Sequence, residues 1–293
     1  MENTNINLTI IVPVYNEGIF IEETLESISN QTNSNFKVLI SDNCSTDNTY
    51  DIVSKMTAND RRFLAYRQET NIGAVDNFAF LIKKVDTDYV MIAGGHDLWD
   101  EDYVEKCLLK IMQSDQIALV HGDIYLKDDN GNKDNREVRF FDMAGISDPV
   151  IRFNLSMWLG QYHFYGIYRS NVLKSTFIDK KFFGSITVVL CQTAIMGRIV
   201  HVKNTVQYFR IRSQKENINE RKKRYAVSYH GYKKKTFLPF WKTPFYMVLA
   251  AIKTPIYKKK KRVSCRIRLV LSSFNACSKY FDSMVNDVKN LRP

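Results

Sequence analysis

The sequence predicts an α/β fold with a Rossmann-like, doubly wound mixed sheet, followed by a basic, aromatic-rich C-terminal helical extension. Two observations predict it. Strand-like and helix-like segments alternate four times within the first hundred residues. Positive charge is concentrated at the other end, where residues 221–293 carry 19 Lys and Arg against two acids, a net charge of +17. Residues 1–220 carry the other 23 basic and 29 acidic groups, a net charge of −6.

Local patterns define the elements of the first half. Short apolar runs followed by polar loops predict buried strands. These are LTIIVPVYNE (residues 8–17), FKVLISDNCSTDNT (36–49), RRFLAYRQ (61–68) and DYVMIAGGHD (88–97). Apolar residues at helical spacing predict the helices between them. These are IFIEETLESISNQ (19–31), TYDIVSKM (49–56) and NIGAVDNFAFLIKKV (71–85). Doubly wound sheets bind ligands beyond the carboxyl ends of their strands, so we expect a site in the loops after Val12, Ile40 and Ile92.

The second half is less regular. YVEKCLLKIMQSD (103–115) predicts a helix and IALVHGDIYLKD (117–128) a candidate strand pair, and Asn130-Gly131 is a hairpin signal. Residues 151–212 form a mixed region without assigned elements. We expect a body over residues 1–220, with a first half of about 1–125 and a second half of about 126–220, and an extension over 221–293.

Cysteine usage and the start of the chain predict a cytoplasmic protein. The five cysteines are scattered and include no CxxC pair, which is typical of reduced thiols in a cytosolic protein. The first residues, MENTNINLTIIVPVYNE, have neither a basic segment nor a long apolar one, so we predict no secretion signal.

Four blocks carry a family resemblance when they are taken in their order and spacing. IIVPVYNE, ISDNCSTDNT, NIGAVDN and GGHDLWDEDYVEK resemble the family 2 glycosyltransferases of the GT-A fold, over about residues 6–215. The resemblance implies an inverting transfer of a sugar from a nucleoside diphosphate sugar, with a UDP-sugar favoured, to an acceptor hydroxyl. We expect that acceptor to be lipid-linked or a growing surface glycan. The resemblance also implies that the first half of the body (about 1–125) binds the nucleotide and that the second half (about 126–220) binds the acceptor.

The resemblance also implies which residues bind the donor. Tyr15 and Asp42 would contact the nucleotide, and Asp42 could accept the imide N–H of uracil. The other expected donor contacts are Pro13, Glu17, Asn71, Asn77, Asp97 and Arg210. Two alternatives stay open: Asp42 could cap the following helix, and Asn77 could serve packing alone.

Acidic positions typical of the family are replaced in this chain. The usual Asp-x-Asp-Asp run falls on Gly94, Gly95, His96 and Asp97. Carboxylates suit hard cations better than imidazole does. His96 and Asp97 are therefore the predicted metal ligands, for a weakly held Mn²⁺ or Mg²⁺. Alternatively, a protonated His96 could donate to a phosphate oxygen.

Two further family positions have also changed. The usual general base falls on Ile186 or Thr187, neither of which takes a proton at neutral pH, and the base is therefore unassigned. His163, Asp179 and Asp123 are the candidates. For each of them, an ordinary core or surface role is the alternative.

The late histidine of the family falls on Arg212, in FRIR. Arg210, Arg212 and Lys215 could offset the charge of the departing diphosphate without a metal. The chain is then either a transferase with little dependence on metal, which we favour, or a catalytically silent nucleotide-sugar-binding or scaffold protein.

The extension predicts attachment to a membrane surface. Residues 236–262 are apolar and aromatic, are interrupted by lysines and three prolines, and end in KKKKR. A spanning helix needs about 20 uninterrupted apolar residues, whereas this pattern is typical of an interfacial segment on anionic lipid. The alternatives are a solvated tail or an oligomer contact, and no nucleic-acid-binding motif is visible. We expect a peripheral protein on the inner face of the membrane, whose removal beyond about residue 220 leaves nucleotide binding intact.

Overall fold

In the computed structural model, the described residues form a mixed sheet of nine strands with helices on both faces. The predicted fold class is confirmed. The structure describes residues 7–128, 131–134, 138, 142–159, 161–176, 178–181, 184–211, 239–256 and 262–277.

The first four strands are parallel to one another. The strands of the sheet are β1 (Leu8–Val14), β2 (Phe36–Asp42), β3 (Phe63–Arg67), β4 (Tyr89–Ile92), β5 (Leu98–Trp99), β6 (Ile117–Lys127), β7 (Lys133–Asp134), β8 (Ile167–Arg169) and β9 (Arg198–Arg210). Their order is β3-β2-β1-β4-β8-β6-β9-β5, with β7 paired to β6. Because β1 pairs in parallel with both β2 and β4, the first loops emerge together at one edge.

Helices cover both faces of the sheet. They are α1 (Ile21–Ser29), α2 (Thr49–Asn59), α3 (Ala74–Lys84), α4 (Tyr103–Met112), α5 (Pro149–Ser156), α6 (Ser170–Lys174), α7 (Ser185–Met196), α8 (Pro239–Lys253) and α9 (Arg262–Cys277), with a 3₁₀ helix at Gln161–Phe164. Alternate residues of β1 enter opposite cores, because strand side chains alternate in direction. Ile10 joins the core containing Leu25 of α1, and Ile11 joins the core containing Leu81 of α3.

Beyond β4 the strand direction reverses three times, at β8, at β6 and at β5, which is antiparallel to β9. β8 is antiparallel to both β4 and β6, and β6 is parallel to β9. β6 and β9 therefore run in the same direction as β4. Residues 117–127 form one long strand rather than the predicted pair of strands, and β6 turns into β7 as a hairpin. Gly131, with φ +82°, lies in the predicted turn.

α7 is a helix that the sequence patterns did not assign. Its residues from Val188 to Met196 are all buried, because it packs between the sheet, α5 and α8. A helix buried on every side has no polar stripe, so its apolar run shows no helical period. The guanidinium of Arg152 in α5 caps its end by donating to the carbonyl oxygens of Ala194 (2.7 Å) and Ile195 (3.1 Å).

The described part of the predicted extension packs on the body. In α8, Met247 and Ala250 are fully buried in a cluster with Val188 of α7. In α9, Leu269 is buried in a cluster with Phe153 of α5. Over the described residues, none of the helices is both long and apolar enough to cross a membrane.

Candidate active site

Several strands place their last residues at one edge of the sheet. Val14, Asp42 and Ile92 are the last residues of the parallel strands β1, β2 and β4, and Arg210 is the last residue of β9, which runs in the same direction. The predicted nucleotide loops and Arg210, which are far apart in the sequence, therefore share one edge. Doubly wound sheets hold their ligands at this edge.

The loops after β1 and β2 are tied together by polar contacts. The main-chain N–H of Asn16 donates to Ser45 Oγ (3.0 Å), and the N–H of Thr46 donates to Asn16 Oδ1 (2.9 Å). Asn16 has φ 54°, in the left-handed region that Asn tolerates better than most residues. Pro13 and Tyr15 are half-buried on this braced segment, so their expected nucleotide contacts would start from a fixed backbone.

Asp42 presents an unused acceptor. Its carboxylate is fully buried. Oδ2 accepts from the N–H of Ser45 (3.2 Å) and lies 3.4 Å from Arg67 Nε, whereas Oδ1 has no hydrogen-bond partner among the residues that the structure describes. At the start of α2, it is Asp47 that accepts from the N–H of Thr49 (3.0 Å). The alternative role of Asp42 as a helix cap is therefore wrong.

Asn43, which the sequence patterns did not indicate as a site residue, braces the loop before α3. Its Nδ2 donates to Asn71 Oδ1 (3.0 Å), and its Oδ1 accepts from the N–H of Ile72 (2.9 Å). Asn71 Oδ1 also accepts from the N–H of Gly73 (2.9 Å). Asn71 thus helps to fix the loop before α3. The available signal was the position of Asn43 directly after Asp42.

Asn77 is buried, and Ser41 engages both ends of its side-chain amide. Asn77 Nδ2 donates to the carbonyl oxygen of Ser41 (2.9 Å), and Asn77 Oδ1 accepts from Ser41 Oγ (2.6 Å). These contacts join α3 to the end of β2. They are the packing role that the sequence left open, so Asn77 is not carried into the proposed donor site.

Asp97 is turned into the protein rather than toward a ligand. It is fully buried, with Oδ1 accepting from the N–H of Arg210 (3.1 Å) and Oδ2 from Gln207 Nε2 (3.4 Å). Burial raises the pKa of this carboxyl group to about 6, and the neighbouring His96 opposes the shift. Asp97 therefore holds the end of β9 beside the loop after β4.

The two glycines before His96 make this arrangement possible. A Cβ atom on Gly94 would lie 2.7 Å from Asp97 Oδ2, and one on Gly95 would lie 2.7 Å from Val14 Cγ1. Real Cβ contacts are essentially never this short. An acid at position 94, as is usual in the family, would displace the Asp97 carboxylate. Glycine at position 94 thus leaves room for the inward-turned carboxylate of Asp97.

The predicted metal pair does not fit a metal ion. His96 Nδ1 lies 3.2 Å from Glu17 Oε1, and His96 Nε2 lies 3.9 Å from Asp97 Oδ1. Both oxygens of Asp97 already face protein donors. Within the described ranges, no group of three or more His, Cys, Asp or Glu side chains is arranged to hold a metal. These contacts do not support the assignment of His96 and Asp97 as metal ligands.

Arg210 brings a buried guanidinium to the site. Its Nη2 donates to Glu23 Oε2 (2.8 Å), and its Cζ lies 4.3 Å from the centre of the Phe20 ring. Its Nε and Nη1 atoms are buried without a hydrogen-bond partner in the part of the chain that the structure describes. A buried donor left unpaired costs roughly 1–3 kcal/mol. Arg210 therefore has N–H groups available for an anion.

The structure separates the three candidates for the general base. His163 is buried and packs edge-on against His121, with ring centres 4.9 Å apart. This interior position does not suit a base that must meet an acceptor. Asp123 is held by His201 Nε2 (2.8 Å) and by the N–H of Asn204 (3.0 Å).

Asp179 is the exposed candidate. It lies before α7, and its partner is the neighbouring Lys180 (2.8 Å). An ion pair between Lys181 and Asp76 fastens this segment to the first turn of α3. Ile186, at one family base position, packs against the core. The other predicted cations, Arg212 and Lys215, lie outside the described residues.

A sequence profile for "Glycosyl transferase family 2" matches residues 9–189. The chain belongs to this family. The match covers more than half of the sequence and includes all four motif blocks, so the resemblance inferred from those blocks is confirmed.

Curated relatives in the family align with part of the chain. TuaG of Bacillus subtilis, named for teichuronic acid biosynthesis, is 31% identical over 39% of this chain and 45% of its own length. GlyG of Streptococcus pneumoniae, named a glycosyltransferase, is 27% identical over 42% of this chain and 40% of its own. Abequosyltransferase RfbV of Salmonella typhimurium is 33% identical over 32% and 29%. The chain thus spans less than half the length of these relatives.

Solved structures share the fold. S. aureus TarS (residues 1–349) in complex with UDP has a TM-score of 0.64 at 16% identity, covering 92% of this chain and 71% of that one. Mannosyltransferase PcManGT from Pyrobaculum calidifontis, in complex with GDP-Man and Mn²⁺, has a TM-score of 0.54 at 15% identity, covering 93% and 74%. These likenesses establish the GT-A fold of the family 2 chain.

Proposed function

We propose that this chain transfers a sugar, with inversion, from a UDP-sugar to a hydroxyl of a lipid-linked or growing surface glycan. The observation that carries the proposal is a pair of buried, unpaired polar groups at one sheet edge. Asp42 offers an acceptor and Arg210 offers N–H donors. A nucleoside diphosphate carries the complementary groups, a base N–H and phosphate oxygens. The names of the relatives, and the UDP bound to TarS, support this choice.

The hydrogen bonding of Asp42 favours a uracil base. Its Oδ2 is already engaged by Ser45 and Arg67, which leaves Oδ1. The imide of uracil offers a single N–H to one acceptor. The corresponding edge of guanine offers two neighbouring N–H donors and would need both carboxylate oxygens. Pro13, Tyr15, Glu17 and Asn71 complete the proposed donor site.

Arg210 is proposed to stabilise the departing diphosphate. Negative charge grows on the leaving group as its bond to the sugar breaks. A guanidinium stays charged at any relevant pH and pairs with phosphate through two N–H groups. His96, when protonated, would add a second donor. Turnover is accordingly expected to persist in EDTA. Complete loss that Mn²⁺ restores would contradict this assignment.

The donor contacts and the general base can be tested separately. For the donor contacts, calorimetry would compare the affinities for UMP and UDP. Asp42→Asn should weaken both by about tenfold or more, since a charged hydrogen bond contributes roughly 1.5–3 kcal/mol. Arg210→Met should weaken UDP by about as much while leaving UMP unchanged, because its partner is the diphosphate. The exposed Arg61→Met is the matched control. Unchanged UDP affinity in both site variants would refute the proposed donor site.

Asp179 is proposed as the general base that takes the proton of the attacking hydroxyl. Asp179→Asn should lower the rate of UDP release in the presence of acceptor by about a hundredfold or more, the usual contribution of such a base. Its UDP affinity should be unchanged. Asp115→Asn, which alters another exposed ion pair, is the control. Equal turnover in the two variants would exclude Asp179, and UDP binding without turnover in the native chain would favour the binding-protein alternative.

The reaction is proposed to take place on the cytoplasmic face of a membrane. Residues 236–262 combine apolar, aromatic and basic side chains, and the described part of this range forms α8. Attachment there would bring the protein to a lipid-linked acceptor. TuaG, which is named for teichuronic acid biosynthesis, supports a glycan acceptor.

A further inference from the structure

α8 and α9 are fixed to the body through their inner faces. Met247 and Ala250 of α8 are buried, and just after this helix Thr254 Oγ1 accepts from Gln192 Nε2 of α7 (3.2 Å). In α9, Arg268 pairs with Asp148 at the start of α5 (2.9 Å). The two helices are also joined to each other. Arg266 Nη1 of α9 donates to the carbonyl oxygens of Ala251 (2.8 Å) and Thr254 (2.9 Å) at the end of α8.

The outer faces of the same helices are apolar and exposed. In α9, Val263, Ile267, Leu271 and Phe274 are 75%, 55%, 60% and 58% exposed. Their spacing of four, four and three residues places them in one stripe along the helix. In α8, Phe245 and Ile252 are exposed two turns apart. The outer face of an amphipathic surface helix is normally polar. α8 and α9 instead carry apolar side chains both on the face that packs on the body and on the exposed face.

The charged residues of α8 and α9 are all positive. α8 and α9 together contain five Lys or Arg and no Asp or Glu. Four more lysines, residues 258–261, lie between the two helices in the sequence. Two copies meeting through this face would bring like charges together. An anionic bilayer supplies both an apolar interior and the opposite charge.

We propose that the outer faces of α8 and α9 form one docking surface that lies on an anionic lipid bilayer. The membrane-binding region therefore includes α9 as well as residues 236–262, and the exposed apolar side chains of α9 make most of the apolar contact with lipid. Val263, Ile267, Leu271 and Phe274 enter the headgroup boundary. Lys242 and Lys253, which share a side of α8 with Phe245 and Ile252, contact the lipid phosphates, and salt screens this attraction.

The rigid attachment of the helices fixes the orientation of the protein on the bilayer. Thr243 of α8 packs at Gly184, directly before α7. α8 then runs alongside α7, since Met247 packs on Val188 and Ala251 on Ile195. The N-terminal end of α8 therefore lies beside the acceptor-side segment that carries Asp179. This consequence rests on the proposed function, because it places that segment near a lipid-linked acceptor.

A flotation assay tests the surface with the full chain. The native protein should float with vesicles of phosphatidylcholine and phosphatidylglycerol, and much less with phosphatidylcholine alone or in high salt. The double variant Ile267→Ser, Leu271→Ser should have a vesicle partition coefficient about thirtyfold lower than that of the native protein, because two apolar side chains lose their lipid contact. The matched control is Leu109→Ser with Met112→Ser, an exposed pair on α4 of similar accessibility (60% and 58%).

Each outcome decides the proposal. Equal flotation of the α9 variant and the α4 control would overturn it. So would a native dimer in analytical ultracentrifugation that the α9 variant abolishes, since the face would then join two copies. UDP affinity, measured in the same samples, separates this inference from the proposed function. A variant that keeps native UDP affinity but no longer floats supports the docking surface alone. If native protein floats as expected but binds no UDP, only the proposed donor site fails.

Discussion

At the scale of single residues, Asp97 is a structural link between distant parts of the chain. Its carboxylate joins the loop after β4 to Arg210, 113 residues later. The same bond positions the guanidinium proposed to act on the donor. Its cost is a carboxyl group that is fully buried near a second acid, Glu17, which also raises its pKa.

This burial predicts a pH dependence of stability. The pKa of Asp97 is about 6 in the folded protein, against 3.8 ordinarily. Between these values the folded state holds a proton that the unfolded state has released, so stability falls as pH rises from about 4 to 6. The fall attributable to Asp97 is about 3 kcal/mol, at 1.36 kcal/mol per pKa unit.

Asp97→Asn cannot titrate and should lack this fall. Chemical denaturation at pH 4 to 7 should show the variant gaining stability relative to the native protein across the window, with a constant difference above about pH 6.5. The exposed Asp115→Asn is the control. A difference from native that does not change with pH would contradict a raised pKa.

At the scale of elements, the start of α7 is fixed against α8, beside the segment of the proposed base Asp179. Gly184 has φ +80°, and a Cβ atom there would lie 2.9 Å from both Cγ2 and Oγ1 of Thr243. Glycine is therefore required twice at this position, by the left-handed backbone and by the close approach of α8.

Gly131 has only the first of these two requirements, so comparing the two glycines separates backbone strain from steric contact. Gly131 has φ +82° but has nothing within 4 Å of its would-be Cβ atom. Gly131→Ala should cost about 1–2 kcal/mol of unfolding free energy through backbone strain alone. Gly184→Ala should cost more, because Thr243 must also move. Thermal unfolding would measure both, and Thr243→Ala should relieve part of the Gly184→Ala effect. Equal losses for the two glycine variants would mean that α8 does not press on α7.

At the scale of the whole molecule, the basic extension and the acidic body are not independent. The charge difference between residues 1–220 and 221–293 predicted a boundary near residue 221. In the structure, the inner faces of α8 and α9 cover apolar residues of α5 and α7. The extension therefore serves the stability of the body as well as its proposed docking surface.

Truncation tests this coupling. Removing residues 221–293 would expose Val150, Phe153, Val188, Cys191 and Ile195, which α8 and α9 cover. We expect the melting temperature to fall by about 10 °C or more, since several kcal/mol of apolar burial are lost. This replaces the expectation that such a truncation leaves the nucleotide-binding body intact. Truncation after residue 277 keeps both helices and is the control. A shortened body with native melting temperature and UDP affinity would show an independent extension.

The sequence by itself determined the elements of the first half and the edge where the site lies. Alternating and helical periods are properties of neighbouring residues, so they locate β1 to β4 and the helices between them. The rule that ligands bind at the carboxyl ends of the strands then places the loops around Asp42 and Asp97. The four motif blocks identified the family because its motifs lie in these loops.

Only the tertiary structure decided what the individual side chains do. Whether Asp97 faces a metal or a main-chain N–H depends on Arg210, which arrives from the far end of β9. Whether His163 meets an acceptor or lies in the interior depends on His121 in β6. The apolar residues of α8 and α9 divide into a face that packs on the body and a face that stays exposed. Burial and hydrogen bonding depend on partners distant in the chain, and local sequence patterns do not contain that information.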